Sequence, residues 1–115
     1  MDTVNGKRVL IADDEDGVRY LLASYMKDMG YNDIDSVCCG RAVKCLAGID
    51  YDLVVLDISM PGCTGREAAH LLKSFNDRVK VLLITGHAYK DSEFGFPVLP
   101  KPFNSEELQA AIEVL

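Results

Sequence analysis

The chain has 115 residues, 49% of them hydrophobic and 26% charged, which suits one soluble globular domain with a real core. Its 12 basic and 18 acidic side chains leave a formal net charge of −6, a balance that argues against nucleic acid as a direct partner. No apolar run approaches the roughly 20 residues that span a bilayer, and Met1 to Arg8 lacks a signal-peptide core, so a cytoplasmic chain without membrane insertion is expected.

Arg8 to Ala12 is a short apolar run closed by acids, the pattern of a strand buried on both faces. A helix is expected from Asp16 to about Met29, with Val18, Leu21, Leu22, Tyr25, Met26 and Met29 on one face and Gly30 as its stop. Asp33 to Val37 reads as a weak second strand. Gly40 to Gly48 reads as a short helix with Ala42, Val43, Leu46 and Ala47 on one side. The third strand, Leu53 to Leu56, ends at Asp57, and Met60-Pro61-Gly62 breaks the chain after it. Glu67 to Phe75 is a third helix, carrying Ala68, Leu71, Leu72 and Phe75.

Val79 to Ile84 is the fourth buried strand, ending at Thr85. Pro97-Val98-Leu99 is a short fifth, followed by Pro100-Lys101-Pro102. The last helix begins near Ser105, capped by Asn104 or Ser105, with Glu106 and Glu107 in its first turn and Leu108, Ala111, Ile112 and Leu115 on its apolar face. Alternating strands and helices predict right-handed crossovers and a parallel sheet covered on both faces. No linker, repeat or low-complexity segment interrupts the chain, so residues 1–115 are read as one domain.

Ligands of open parallel sheets bind beyond the carboxyl ends of the strands. There this sequence puts Asp13 and Asp14, then Asp57, then Thr85, with Lys101 after the fifth strand. Each has an ordinary reading taken singly: a helix cap by Asp14 or Glu15, a turn at Asp57 or Thr85-Gly86, a solvated Lys101. Their convergence from separate strands is what stands out. Three clustered carboxylates repel, and a hard dication such as Mg²⁺ with the Lys101 ammonium is the natural compensation. A metal, an ammonium and the Thr85 hydroxyl around one carboxylate suit phosphoryl transfer, with Asp57 as nucleophile.

Val9 to Glu15, Asp52 to Gly62, Val81 to Gly86 and Lys101-Pro102-Phe103 together resemble the four signatures of response-regulator receiver domains, in family order and over nearly the whole chain. The resemblance implies a flavodoxin-like (βα)₅ doubly wound parallel sheet with strand order 2-1-3-4-5. It implies that Asp57 becomes an acyl phosphate. Asp13, Asp14, Asp57 and the Ser59 carbonyl would bind Mg²⁺, and Thr85 and Lys101 would bind the phosphoryl group. It implies a histidine kinase or histidine phosphotransfer protein as donor, an unknown downstream target, and a switch that turns over no separate substrate. Hybrid-kinase receivers share the shortening described next.

The sequence departs from the family where a fourth helix is usual. Only Gly86 to Pro100 separate Thr85 from Lys101, with Gly86, Gly95, Pro97 and Pro100 among them, so that helix is expected to be short or absent. The aromatic switch position is Val98, leaving Tyr89, Phe94 or Phe96 as substitutes. His87 lies two residues after Thr85, where it would neighbour the phosphoryl group or stand exposed in the loop; His70 is expected to be structural or exposed, away from the site. Gly62 and Gly65 are expected to serve the turn beside the phosphorylation loop. Cys38, Cys39, Cys45 and Cys63 lack metal-site spacing and read as buried or half-buried thiols, with a redox sensor as the alternative.

Two other classes compete. A phosphorylation-independent pseudo-receiver acting as an interaction module is opposed by the intact set Asp13, Asp14, Asp57, Thr85 and Lys101. An aspartyl-phosphate phosphatase would need an acid two residues after Asp57, where Ser59 stands.

Overall fold

The computed structural model describes residues 6–86 and 95–115. Five strands, β1 (Arg8–Ala12), β2 (Asp33–Val37), β3 (Leu53–Asp57), β4 (Lys80–Thr85) and β5 (Val98–Pro100), form one sheet. All neighbours pair in parallel, in the order β2-β1-β3-β4-β5. Four helices accompany them among the described residues: α1 (Asp16–Asp28), α2 (Gly40–Cys45), α3 (Gly65–Phe75) and α4 (Ser105–Glu113).

The helices divide between the two faces. Val9, Ile11, Val55, Leu82 and Ile84 look one way and pack against Leu22 and Met26 of α1 and Leu108 of α4. Leu10, Ala12, Val54, Leu56 and Leu83 look the other way and meet Val43 of α2 and Ala68, Ala69 and Leu72 of α3. Every residue of β3 is buried, which is why its sequence is a continuous apolar run rather than an alternating one. Each fully buried Leu or Ile of these layers is worth ~1.5–3 kcal/mol against exposure.

Helix boundaries follow local chemistry. α1 stops in a Schellman turn: Gly30 takes φ 103° and donates to the Lys27 carbonyl, while the Tyr31 N–H reaches the Met26 carbonyl, both at 3.0 Å. α3 starts at Gly65, two residues before the expected Glu67, because Thr64 and Glu67 form a reciprocal capping box. Ala69 is buried as well, and Phe75, the last residue of the helix, is 64% exposed rather than on the core face as expected. Leu21 of α1 is likewise exposed, at the edge of its stripe. α2 ends at Cys45, short of Gly48, although Ala47 is buried just beyond it. α4 is capped by Asn104, again with a capping box, to Glu107.

The expected lack of a helix between β4 and β5 falls mainly on residues 87–94, outside the described residues, as do His87, Tyr89 and Phe94. Gly95 to Pro97, just before β5, are not helical. Phe96 packs against the α2/α3 side of the core, its ring edge-on to His70 at 5.1 Å, and Val98 is half-buried on the same side. Of the cysteines, Cys63 is buried and Cys39 half-buried. Cys38, just past edge strand β2, and Cys45, on the outer face of the short α2, are exposed instead of covered. No described helix is long and apolar enough to cross a membrane.

Candidate functional site

The sheet brings β1, β3 and β4 to a common carboxyl edge, and the residues there are acids and hydroxyls where the strands themselves are apolar. Asp13 is fully buried directly after β1, its N–H donating to the Val37 carbonyl at 3.2 Å. Its Oδ1 accepts the Glu15 N–H at 2.8 Å, a short turn that fixes the carboxylate. The Arg19 guanidinium reaches back from α1 to the Asp13 carbonyl at 2.7 Å. Asp57, the last residue of β3, is 5% exposed, and its Oδ1 accepts the Ser59 N–H at 3.2 Å. Oxygens of Asp13, Asp14 and Asp57 all lie within 4.8 Å of one another.

Among the described residues, one ammonium faces this group. Lys101 Nζ stands 2.8 Å from Asp13 Oδ2, 3.3 Å from Glu15 Oε1 and 3.4 Å from Asp57 Oδ2. It is delivered by the main chain, whose Lys101 N–H donates to the Thr85 carbonyl at 2.7 Å. Thr85 is therefore buried at the end of β4 beside the lysine segment, with its neighbour in β5 being Pro100. The Lys101–Pro102 peptide is cis.

The loop after Asp57 is held from three sides. The Ile58 N–H donates to the Ile84 carbonyl, the Gly65 N–H to the Ile58 carbonyl, and the Gly40 N–H to the Pro61 carbonyl, at 2.8–2.9 Å. Gly62 sits in that loop at φ 92°, as the turn requires. Gly65 serves a different need from the expected turn: it is the first residue of α3, and a Cβ there would lie 2.3 Å from the Asp57 carbonyl oxygen. A small cavity of about 180 Å³ remains between Asp14, Glu15, Asp57, Ser59, Gly86 and Lys101.

Electrostatics match this crowding. Burial, then the neighbouring charge of Asp13, pushes the Asp57 carboxyl up to about 6, against the opposing pull of the Ser59 N–H and Lys101. Burial by itself would lower Lys101, but the carboxylates of Asp13, Asp57 and Glu15 outweigh it and raise the ammonium above its ordinary range. Asp13 Oδ2 is buried and receives no well-aligned hydrogen bond, the Lys101 ammonium being its ion-pair neighbour. Three carboxylates thus share one cation among the described residues, with Asp14 alongside, and their hard oxygens suit a dication of the Mg²⁺ class.

All of the expected residues Asp13, Asp14, Asp57, Ser59, Thr85 and Lys101 meet at this edge. His70 lies elsewhere, on the exposed side of α3. Two contributors were not foreseen. Glu15, read only as a cap, instead pairs with Lys101 and makes no side-chain cap bond to α1. Arg19 tethers the Asp13 backbone; its position one turn after Glu15 was the available signal.

Known proteins are similar to this chain in sequence and fold. The chain is 37% identical over 119 residues to the transcriptional regulatory protein TcrA of Mycobacterium tuberculosis, covering 97% of this chain and 47% of that protein. It is 27% identical to sporulation initiation phosphotransferase F of Bacillus subtilis, covering 93% of this chain and 91% of the relative. Among solved structures, the response regulator TrrA of Thermotoga maritima, in complex with Mg²⁺-BeF, superposes with a TM-score of 0.82 at 34% identity, over 94% of this chain and 97% of that one. The chain spans about half the length of several of the curated relatives it matches. The family model of the response regulator receiver domain matches residues 9–113. The chain therefore belongs to the response regulator receiver domains, the phosphorylation-signalling modules of two-component systems.

Proposed function

We propose that Asp57 is the phosphoacceptor of this chain, loaded from a phosphohistidine on a histidine kinase or histidine phosphotransfer protein. The observation that carries the reading is the sharing of one ammonium by Asp13, Glu15 and Asp57, with Asp14 alongside and two of these carboxylates buried. Asp13, Asp14, Asp57 and the Ser59 carbonyl would hold Mg²⁺, which when bound neutralises the carboxylates and the phosphoryl oxygens. The solved relative in complex with Mg²⁺-BeF supports that choice of ion.

The residues divide the work by position. An Asp57 oxygen attacks phosphorus as the phosphorus–nitrogen bond to the donor imidazole breaks, giving an acyl phosphate. Lys101, already beside Asp57, follows the new charge onto a phosphoryl oxygen. Thr85 adjoins through the backbone bond to Lys101 and supplies a hydroxyl at the end of β4. Moving Lys101 and Thr85 together would shift the β4 and β5 loops, a two-state change biased by a new charge. The switch would act on a downstream protein and turn over no substrate of its own.

Incubation with a small acyl-phosphate donor and Mg²⁺, followed by intact-mass measurement, tests this. A single phosphoryl adduct that vanishes in Asp57→Asn and on chelation is expected. No adduct with any donor or kinase would favour an interaction module. Donor turnover far beyond one equivalent without a lasting adduct would favour a phosphatase.

A further inference from the structure

At the opposite end of the sheet, Lys7, Arg78 and Lys80 line one cavity of about 330 Å³ together with Tyr31 and Asp52. On a chain with a net charge of −6, three cations converging on one hollow run against the overall balance. None of the three is in an ion pair among the described residues. The single carboxylate, Asp52, has its Oδ2 engaged by the Arg8 N–H at 2.8 Å. The lining thus carries three positive charges against one negative, an excess of two.

The three exposed cations stand at or just before the starts of β1 and β4. Lys80 opens β4, pairs with Leu53 of β3, and donates its N–H to the Asp52 carbonyl at 3.1 Å; the Arg78 N–H is held by Asn76 Oδ1 at 3.1 Å. Tyr31 is fixed by the turn that ends α1, and its phenol hydroxyl is a hydrogen-bond donor. Leu53 and Ile112 supply the apolar part of the lining. Concave basic sites focus their field on anions, and an arginine fork suits phosphate oxygens.

We propose that this cavity is a binding site for a diphosphate group borne by a small molecule such as a nucleoside diphosphate. It is separate from the phosphoacceptor site. Four residue steps along β3, roughly 13 Å, separate Leu53 in its wall from Asp57 at the other edge. The proposal is independent of phosphorylation at Asp57.

Amide NMR titrations of the whole chain in chelator-containing buffer test it, with pyrophosphate, ADP, adenosine and sulfate as probes. Saturable shifts at Lys7, Tyr31, Leu53 and Lys80 with dissociation constants below about 1 mM are expected for pyrophosphate and ADP, and none for adenosine. Tighter binding of ADP than of pyrophosphate identifies a nucleotide as the source, and equal binding identifies the diphosphate alone. The Arg78→Gln/Lys80→Gln variant should bind about tenfold more weakly or worse, while Lys27→Gln and Asp57→Asn should bind as the parent does. Absence of saturation, equal competition by sulfate, shifts confined to the Asp57 edge, or unchanged binding in the double variant would overturn the proposal.

Discussion

Asp57 combines burial with a like-charged neighbour, so its ionisation costs folding free energy. Its carboxyl is pushed up to about 6, from an ordinary value of 3.8. Between those values the folded protein keeps a proton that the unfolded chain has released, so metal-free stability falls as pH rises through that window and is lowest above it. Asp57→Asn should remove this slope and, at neutral pH in chelator, raise the unfolding free energy by about 1–3 kcal/mol, read by urea denaturation across a pH series. Lys101→Met should do the opposite. It strips the buried Asp13 of its cation, and a loss of about 2 kcal/mol is expected, less than for a sealed ion pair because the pocket opens to solvent. Equal losses in both variants would mean that the charges do not act as described. Asp13, Asp14, Asp57 and Lys101 were legible from the sequence because strand ends converge by topology. The part of Glu15 was not, because whether an acid caps a helix or turns toward a lysine 86 residues away depends on the fold.

Strands were the easiest elements to read. β1 and β2 fall where expected because a strand buried on both faces leaves an unbroken apolar run, and because Asp33 to Val37 is bounded by glycines, Gly30 before it and Gly40 after it. In helix α3 the expected Ala68, Leu71 and Leu72 do face the core, but the start and the place of Phe75 differ. The apolar pattern pointed to Phe75, which is exposed, whereas the capping box at Thr64 and the tight contact at Gly65 set the start, and Ala69 is buried beside Ala68 and Leu72. That contact makes a test. Gly65→Ala should help an isolated helix, since alanine is the better helix former. Here its Cβ would meet the Asp57 carbonyl oxygen, a backbone atom that cannot swing aside, so a destabilisation of about 2 kcal/mol or more is expected, together with slower phosphorylation. A stabilised Gly65→Ala protein would show that the loop after Asp57 is not clamped in this way. The capping of α4 by Asn104 was readable because the Asn-x-x-Glu spacing is local.

For the molecule as a whole, the order of strands and the two-faced core follow from alternating elements and right-handed crossovers, which need only the sequence pattern. The acids at the carboxyl edge follow from where the strands end, but an overall −6 says nothing about cations gathering at the other edge. The central claim is that folding assembles a negative pocket which a dication and Lys101 make tolerable. Thermal unfolding at neutral pH under increasing Mg²⁺ measures this most directly, in the parent chain and in Asp13→Asn and Asp57→Asn. The account predicts a saturable rise in the parent, about 1.4 kcal/mol at a tenfold excess over the dissociation constant and so about 5 °C, that is lost or greatly weakened in both variants. A parent that ignores Mg²⁺, or variants that respond as strongly as the parent does, would contradict it.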